Sequence, residues 1–305
     1  MARYELIPPD SRVHQEFTRL YRLAQQQRPG SGGRWNGELY ALHDGGSAQL
    51  NSQTGAIALS ADRVLPYLAR QVPPNQHDHQ AGALRTVLEM STHASMSVAP
   101  ESSPHSHSLA AGIGEVRVAT DFEAFANRAG YPQLTLPTSE PSGVHAAADS
   151  LLTQASGLTT GRDELLSELV ATPVGQQFDR LANGVVRNRL REEVPYGRQE
   201  AARARLIEPM LHEAWPRLPA HDAAAGQQVA DEIRTGLNST VEELRHEHHP
   251  ASTAHAPTST SMDGQLRFLA GQASPTRATS YRPELGDGAR GRGGTKTQAT
   301  ERGLE

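Results

Sequence analysis

A glutamate and a histidine stand four residues apart in the run Thr86-Val87-Leu88-Glu89-Met90-Ser91-Thr92-His93-Ala94. Four residues of α-helix turn through about 400°, so the side chains of Glu89 and His93 leave the same face. A carboxylate and a neutral imidazole placed that way are ligand types that zinc, iron or manganese accepts. Two ligands do not complete a site. Further donors stand at His145, Asp163, Glu164 and Glu168, so a third ligand is sought between 140 and 170. The same spacing also serves ordinary solvated pairs on helix surfaces, and both readings stay open at this point.

Other chemistry is thinner. Histidines cluster at His77/His79, at His105/His107 and at His246/His248/His249. Such tracts bind transition metals when neutral, and they also occur as plain polar loops. Ser91, Ser95 and Ser97 lie near His93, but no Gly-x-Ser-x-Gly elbow accompanies them. Gly112-Ile113-Gly114 falls short of a dinucleotide fingerprint. The arginines of 187–191 and 203–205 alternate with glutamates, which reads as pairing on helix surfaces and gives no reason to expect nucleic acid. The lone Arg290-Gly291-Arg292-Gly293-Gly294 is one copy of an RNA-binding type of segment.

The run 86–94 resembles the active helix of zincin metallopeptidases, Thr-Val-Leu-His-Glu-x-x-His-Ala. In the ungapped match Glu89 takes the place of the first histidine ligand, Met90 that of the catalytic glutamate, and His93 that of the second histidine. Residues 55–60 are similar to the edge strand before that helix, and 61–72 fill the connecting helix. Residues 154–160 resemble the helix that carries the third ligand in gluzincins, with Ser156 where the glutamate would stand. The scaffold is echoed over residues 35–215. The resemblance implies zinc or another divalent metal held by Glu89 and His93. Met90 cannot take a proton from water, so standard proteolysis is not expected and no catalytic residue is assigned. The alternative is a non-catalytic binding or scaffold protein without metal, its partner a protein or peptide.

The elements that position this run follow from periodicity and punctuation. Val13, Phe17, Leu20, Tyr21 and Leu23 predict a helix over 13–26, broken by Pro29, Gly30, Gly32 and Gly33. Residues 35–42 read as a strand. Turns at 44–46 and 51–55 frame a second strand-like stretch, 48–59, giving a small antiparallel sheet. Ser60 caps a helix to about 71, and 81–98 is helical. Residues 99–115 read as loop, and 121–128 as helix. From 142 to 247 the pattern is helical, broken near Gly157, Pro173, Pro195 and Pro216 to Pro219. The expected fold is α+β and mostly helical. Its parts are an N-terminal helix and linker (1–34), a main domain (35–249) and a disordered tail (250–305) in which 266–269 could dock.

Composition bounds the rest. Of 305 residues only 36% are hydrophobic and 5% aromatic, and mean hydropathy is −0.56. A small core and a polar tail are implied. The formal charge of −5 marks no nucleic-acid or anionic-membrane surface. Lys296 is the sole lysine, and with the many Ala and Gly this points to a GC-rich bacterial genome. Without cysteine, disulfides, thiolate metal sites and cysteine nucleophiles are excluded. No apolar run reaches the roughly 20 residues of a membrane span. The first residues lack an apolar signal core, so a cytoplasmic location is expected.

Overall fold

The computed structural model describes residues 3–30, 35–68, 72–96, 102–136 and 140–248. The chain divides into two units, Met1–Thr253 and Ala254–Glu305. The second unit, the expected disordered tail and the stretch 266–269 lie outside the described residues.

Serines set the helix starts. Ser11, Ser103 and Ser142 each accept a hydrogen bond from the backbone N–H three residues on, at 3.2, 3.2 and 3.1 Å. Each thereby satisfies a donor that the first turn leaves without a partner. The first two open α1 (Arg12–Gln27) and α4 (Pro104–Ala129), and the third opens α5 (Gly143–Ala155). The short α2 (Leu65–Leu68) and the longer α3 (His77–Ser95) complete the N-terminal half. Next come α6 (Arg162–Ala171) and α7 (Gln177–Val185). The latter runs into a π-helical turn, Val186–Leu190, and is followed by α8 (Gln199–Met210) and α9 (Ala223–His248).

The fold is α+β, with a single four-stranded sheet among the described residues. Its strands are β1 (Tyr4–Leu6), β2 (Leu39–Leu42), β3 (Ala48–Leu50) and β4 (Ile57–Ser60), in the order β1-β2-β4-β3. The sheet is mixed where a wholly antiparallel one is expected: β2 and β4 run parallel, with Leu39 beside Ile57. The physical reason is the apolar run of β4, which is buried throughout and takes the internal place, while β3, with Gln49 exposed, takes the edge. Asn51 Oδ1 accepts from the N–H of Gln53 and Thr54, and Gly55 takes φ +80°. The turn folds β4 back antiparallel on β3, and β4 rather than β3 pairs with β2. The expected edge strand at 55–60 is therefore internal, and β3 is the edge. The strand expected at 35–42 shortens to Leu39–Leu42, and β1 is an addition.

Two hydrophobic cores form. The first gathers the inner face of the sheet, through Leu39, Ile57 and Leu59, with α1, α2, α3 and the C-terminal half of α4. The second gathers the N-terminal half of α4 with α5 to α9 around Leu151, Phe178, Trp215 and Ile233. Each large side chain buried this way contributes about 1.5–3 kcal/mol. Helix α4 belongs to both, which corrects the expected loop at 99–115. Gly112 and Gly114 lower helix propensity there, but they permit close packing. A Cβ at Gly112 would meet the Val144 carbonyl, and one at Gly114 would stand 3.2 Å from the His93 ring.

Where α4 passes between the cores, Arg117 is fully buried. Its guanidinium donates to the Ala24 carbonyl at 2.6 Å, and its Nε lies 3.6 Å from Asp121. Arg28 holds the same carboxylate with two hydrogen bonds of 2.6 and 2.8 Å. Burial pushes the Arg117 pKa down to about 10, against the pull of Asp121.

Candidate functional site

Helix α3 buries Leu84, Val87, Leu88, Met90, Ser91 and Ala94. Beyond the first turn, what remains partly open is one strip: Gly82, Arg85, Thr86, Glu89 and His93. That strip is a helical face, which is why Glu89 and His93 meet, with Glu89 Oε1 3.9 Å from His93 Nε2. The hydroxyls of Ser91 and Thr92 donate back to Val87 and Leu88, each at 2.7 Å, so neither faces the strip as a nucleophile. Met90 packs into the first core.

Glu89 opens onto a cavity of about 580 Å³. Its walls come from Ser47 at the start of β3, from Asp62 and Arg63 after β4, from Tyr67 of α2, and from His79, Arg85 and Glu89 of α3. Tyr67 and His79 stack with centroids 5.4 Å apart. Burial raises the Glu89 pKa above the ordinary 4.5, and Arg85 opposes that shift. Burial lowers the His93 pKa below 6.5, opposed by the charge of Glu115 on α4. Glu115 itself accepts a hydrogen bond from Ser142 at 2.7 Å.

Position β3 matters to this cleft. Its hydrogen bonds to β4 run through the neighbours of Ala48 and Leu50: Ser60 N–H donates to the Ser47 carbonyl at 2.9 Å, and Asn51 N–H to the Ala56 carbonyl at 2.9 Å. In an antiparallel pair the residues between such bonds turn their backbone groups outward. Ala48 and Leu50 therefore present N–H and C=O to the free edge.

The donors expected to supply a third metal ligand are held elsewhere. His145 lines a different groove with Asp149, Gln227 and Arg234. Asp163 pairs with Arg28 at 2.9 Å, and Glu168 with Arg187 at 3.3 Å. Glu164 is exposed on the first turn of α6, and the Ser156 hydroxyl donates to the Thr153 carbonyl at 3.0 Å. Of the histidine clusters, His77 and His79 open α3, His105 and His107 open α4, and His246 and His248 end α9; His249 lies outside the described residues. Among the described residues no three His, Asp or Glu side chains gather to hold a metal ion. A protein zinc centre takes at least three such ligands, so the Glu89–His93 pair does not fit one as it stands.

Sequence reasoning missed Glu115, Arg85 and Asp62. Glu115 was hidden by the reading of 99–115 as loop. The signal that could have found it is Ser103-Pro104, a capping serine followed by proline at the first helical position. No known protein family, curated protein or solved structure matches this chain.

Proposed function

We propose that this protein is a non-hydrolytic binding protein whose cleft, between the β3 edge and α3, receives an extended segment of another polypeptide bearing a basic side chain. The observation that carries this reading is Glu89: a carboxylate kept in a half-buried strip, opening onto a cavity, with Met90 packed in the core beside it. The cleft has the means for such a ligand. Ala48 and Leu50 offer backbone groups for strand addition. Asp62, Asp78 and Glu89 outnumber Arg63 and Arg85 around the cavity. A Lys or Arg arriving there would meet Glu89 and restore the ionised form that burial disfavours. Panning a displayed library of extended peptides against the full chain tests this. Enriched peptides should carry Lys or Arg, bind at least about tenfold more weakly to Glu89→Gln, a loss of about 1.4 kcal/mol, and be recovered intact. Enrichment unchanged in Glu89→Gln would contradict the reading, and cleaved peptides would contradict its non-hydrolytic part.

A second reading keeps the metal. The charge of Glu115 is felt at His93, so Glu89, His93 and Glu115 could share a divalent ion if Glu115 left Ser142. Metal content after reconstitution with zinc decides it. Near-stoichiometric zinc lost in Glu89→Ala, His93→Ala and Glu115→Gln would favour it over the binding cleft, and no retained zinc would dismiss it.

A further inference from the structure

Gly82 stands inside α3, on the strip that carries Glu89. A glycine within a helix weakens it, because glycine loses more backbone freedom on folding than any other residue. On α4, Gly112 and Gly114 are required by close neighbours, the Val144 carbonyl and the His93 ring. Gly82 has no such neighbour: a Cβ there would meet no atom of the described residues within 4 Å. It is partly open and borders the same cavity as Glu89. Packing within the fold therefore gives no reason for glycine at this position. The other use of a bare helix backbone is close approach by a ligand.

The surroundings of Gly82 define the group that approaches. His79 precedes it by three residues on the same helical face, and the His79 ring stacks on Tyr67 of α2 with 23° between the planes. The stack is anchored, because the buried Gln80 donates its Nε2 to the Tyr67 carbonyl at 3.3 Å and ties α2 to α3. Four residues after Gly82, Thr86 turns its hydroxyl back onto the Gly82 carbonyl at 2.9 Å, so that hydroxyl is spent on the helix. Gly82 is thus a flat patch of backbone between an aromatic stack and a threonine bonded to its own helix. A planar ring laid on the patch would meet the Tyr67–His79 stack offset or edge-on, the arrangements that aromatic pairs prefer. Glu89 lies seven residues further along the same face, about 10.5 Å away. An extended chain covers that distance in about three residues.

We infer that the segment bound in this cleft carries an aromatic residue about three positions from its basic one, the ring lying on α3 at Gly82 against the Tyr67–His79 stack. This rests on the reading of the cleft as a peptide site anchored at Glu89, and it narrows the ligand from any basic segment to one pairing Lys or Arg with Phe, Tyr or Trp. Peptides selected on the wild-type full chain provide the test, their affinities measured for the wild type, Gly82→Ala, Gly197→Ala and Glu89→Gln. The selected peptides should hold an aromatic residue roughly two to four positions from the basic one. Gly82→Ala should bind them at least about tenfold more weakly, yet unfold at a higher urea concentration than the wild type, so the loss is not one of folding. Gly197→Ala lies outside the walls of the cleft and also adds a methyl that meets nothing within 4 Å, and it should leave affinity unchanged. Replacing the aromatic residue of the peptide by Ala should weaken binding to the wild type by about tenfold and to Gly82→Ala by much less, as for groups in contact. Peptides enriched without an aromatic residue would overturn the inference. So would affinity unchanged in Gly82→Ala but weakened in Glu89→Gln, and the reading of the cleft would then stand. No enriched peptide, or affinity unchanged in both variants, would overturn that reading and this inference with it.

Discussion

Burial disfavours the charged forms of both Glu89 and His93, and this has a thermodynamic consequence. Glu89 has its pKa raised by burial, so the folded state holds a proton that the unfolded state releases above the ordinary 4.5. Stability therefore falls as pH rises through that window. Glu89→Gln should raise the melting temperature at neutral pH, and the gain should vanish as pH falls below 4.5. His93 acts at the other boundary. Its pKa lies below 6.5 in the fold, so acidification below 6.5 protonates the unfolded chain first and erodes stability. An NMR titration should show the His93 imidazole still neutral where exposed histidines have charged. A half-buried carboxylate that opens onto a cavity supports the proposed binding site. At this scale the sequence was legible where spacing decides: four residues on one helix put Glu89 and His93 together. The same spacing places Arg85 one turn before Glu89, but Asp62 and Glu115 were not legible, because their places depend on how separate elements pack.

Helix α4 is the element that sequence periodicity hides most. Its N-terminal half is rich in small residues, and Gly112 and Gly114 weaken any helix signal. Both glycines answer to tertiary contacts, with Val144 and His93, which no local pattern encodes. Glycine 82 on α3 is the contrast, since a Cβ there would meet nothing within 4 Å. Gly112→Ala should destabilise by about 1–3 kcal/mol, because a carbonyl cannot yield as a side chain can. Gly82→Ala should stabilise by about 0.5–1 kcal/mol. Urea unfolding of the two variants beside the wild type checks the opposite signs. The sheet teaches a similar lesson. Strand stretches near 39–42 and 57–60 were readable, but their parallel pairing was not. It follows from the burial of β4, which takes the place beside β2 and leaves β3 as the free edge beside the cleft.

At the scale of the molecule, two cores share one long helix, and the charges between them tie the halves together. Asp121 neutralises Arg28 and the fully buried Arg117 at that junction. Removing it leaves the fully buried Arg117 without compensation, while Arg28 keeps Asp163 at 2.9 Å; breaking a buried pair in this way costs about 3–5 kcal/mol. Asp121→Ala should lose stability of that order in chemical denaturation, whereas Asp231→Ala, which breaks an exposed pair with Arg234, should lose less than about 1 kcal/mol. None of the described helices is long and apolar enough to cross a membrane. The general class, α+β and mostly helical, was readable from composition and helical periodicity. The division into two cores was not, because it turns on which half of α4 each neighbour covers.

The central claim is that the cleft beside α3 recognises a basic segment through Glu89 without cutting it. Its most direct measurement is calorimetry of a selected Lys- or Arg-bearing peptide binding to the full chain, in buffers of different ionisation enthalpy and over a range of pH. Binding should release protons as Glu89 ionises, should tighten as pH rises through the raised Glu89 range, and should lose both effects in Glu89→Gln. Affinity that is independent of pH, with no proton released and no difference in Glu89→Gln, would contradict the account.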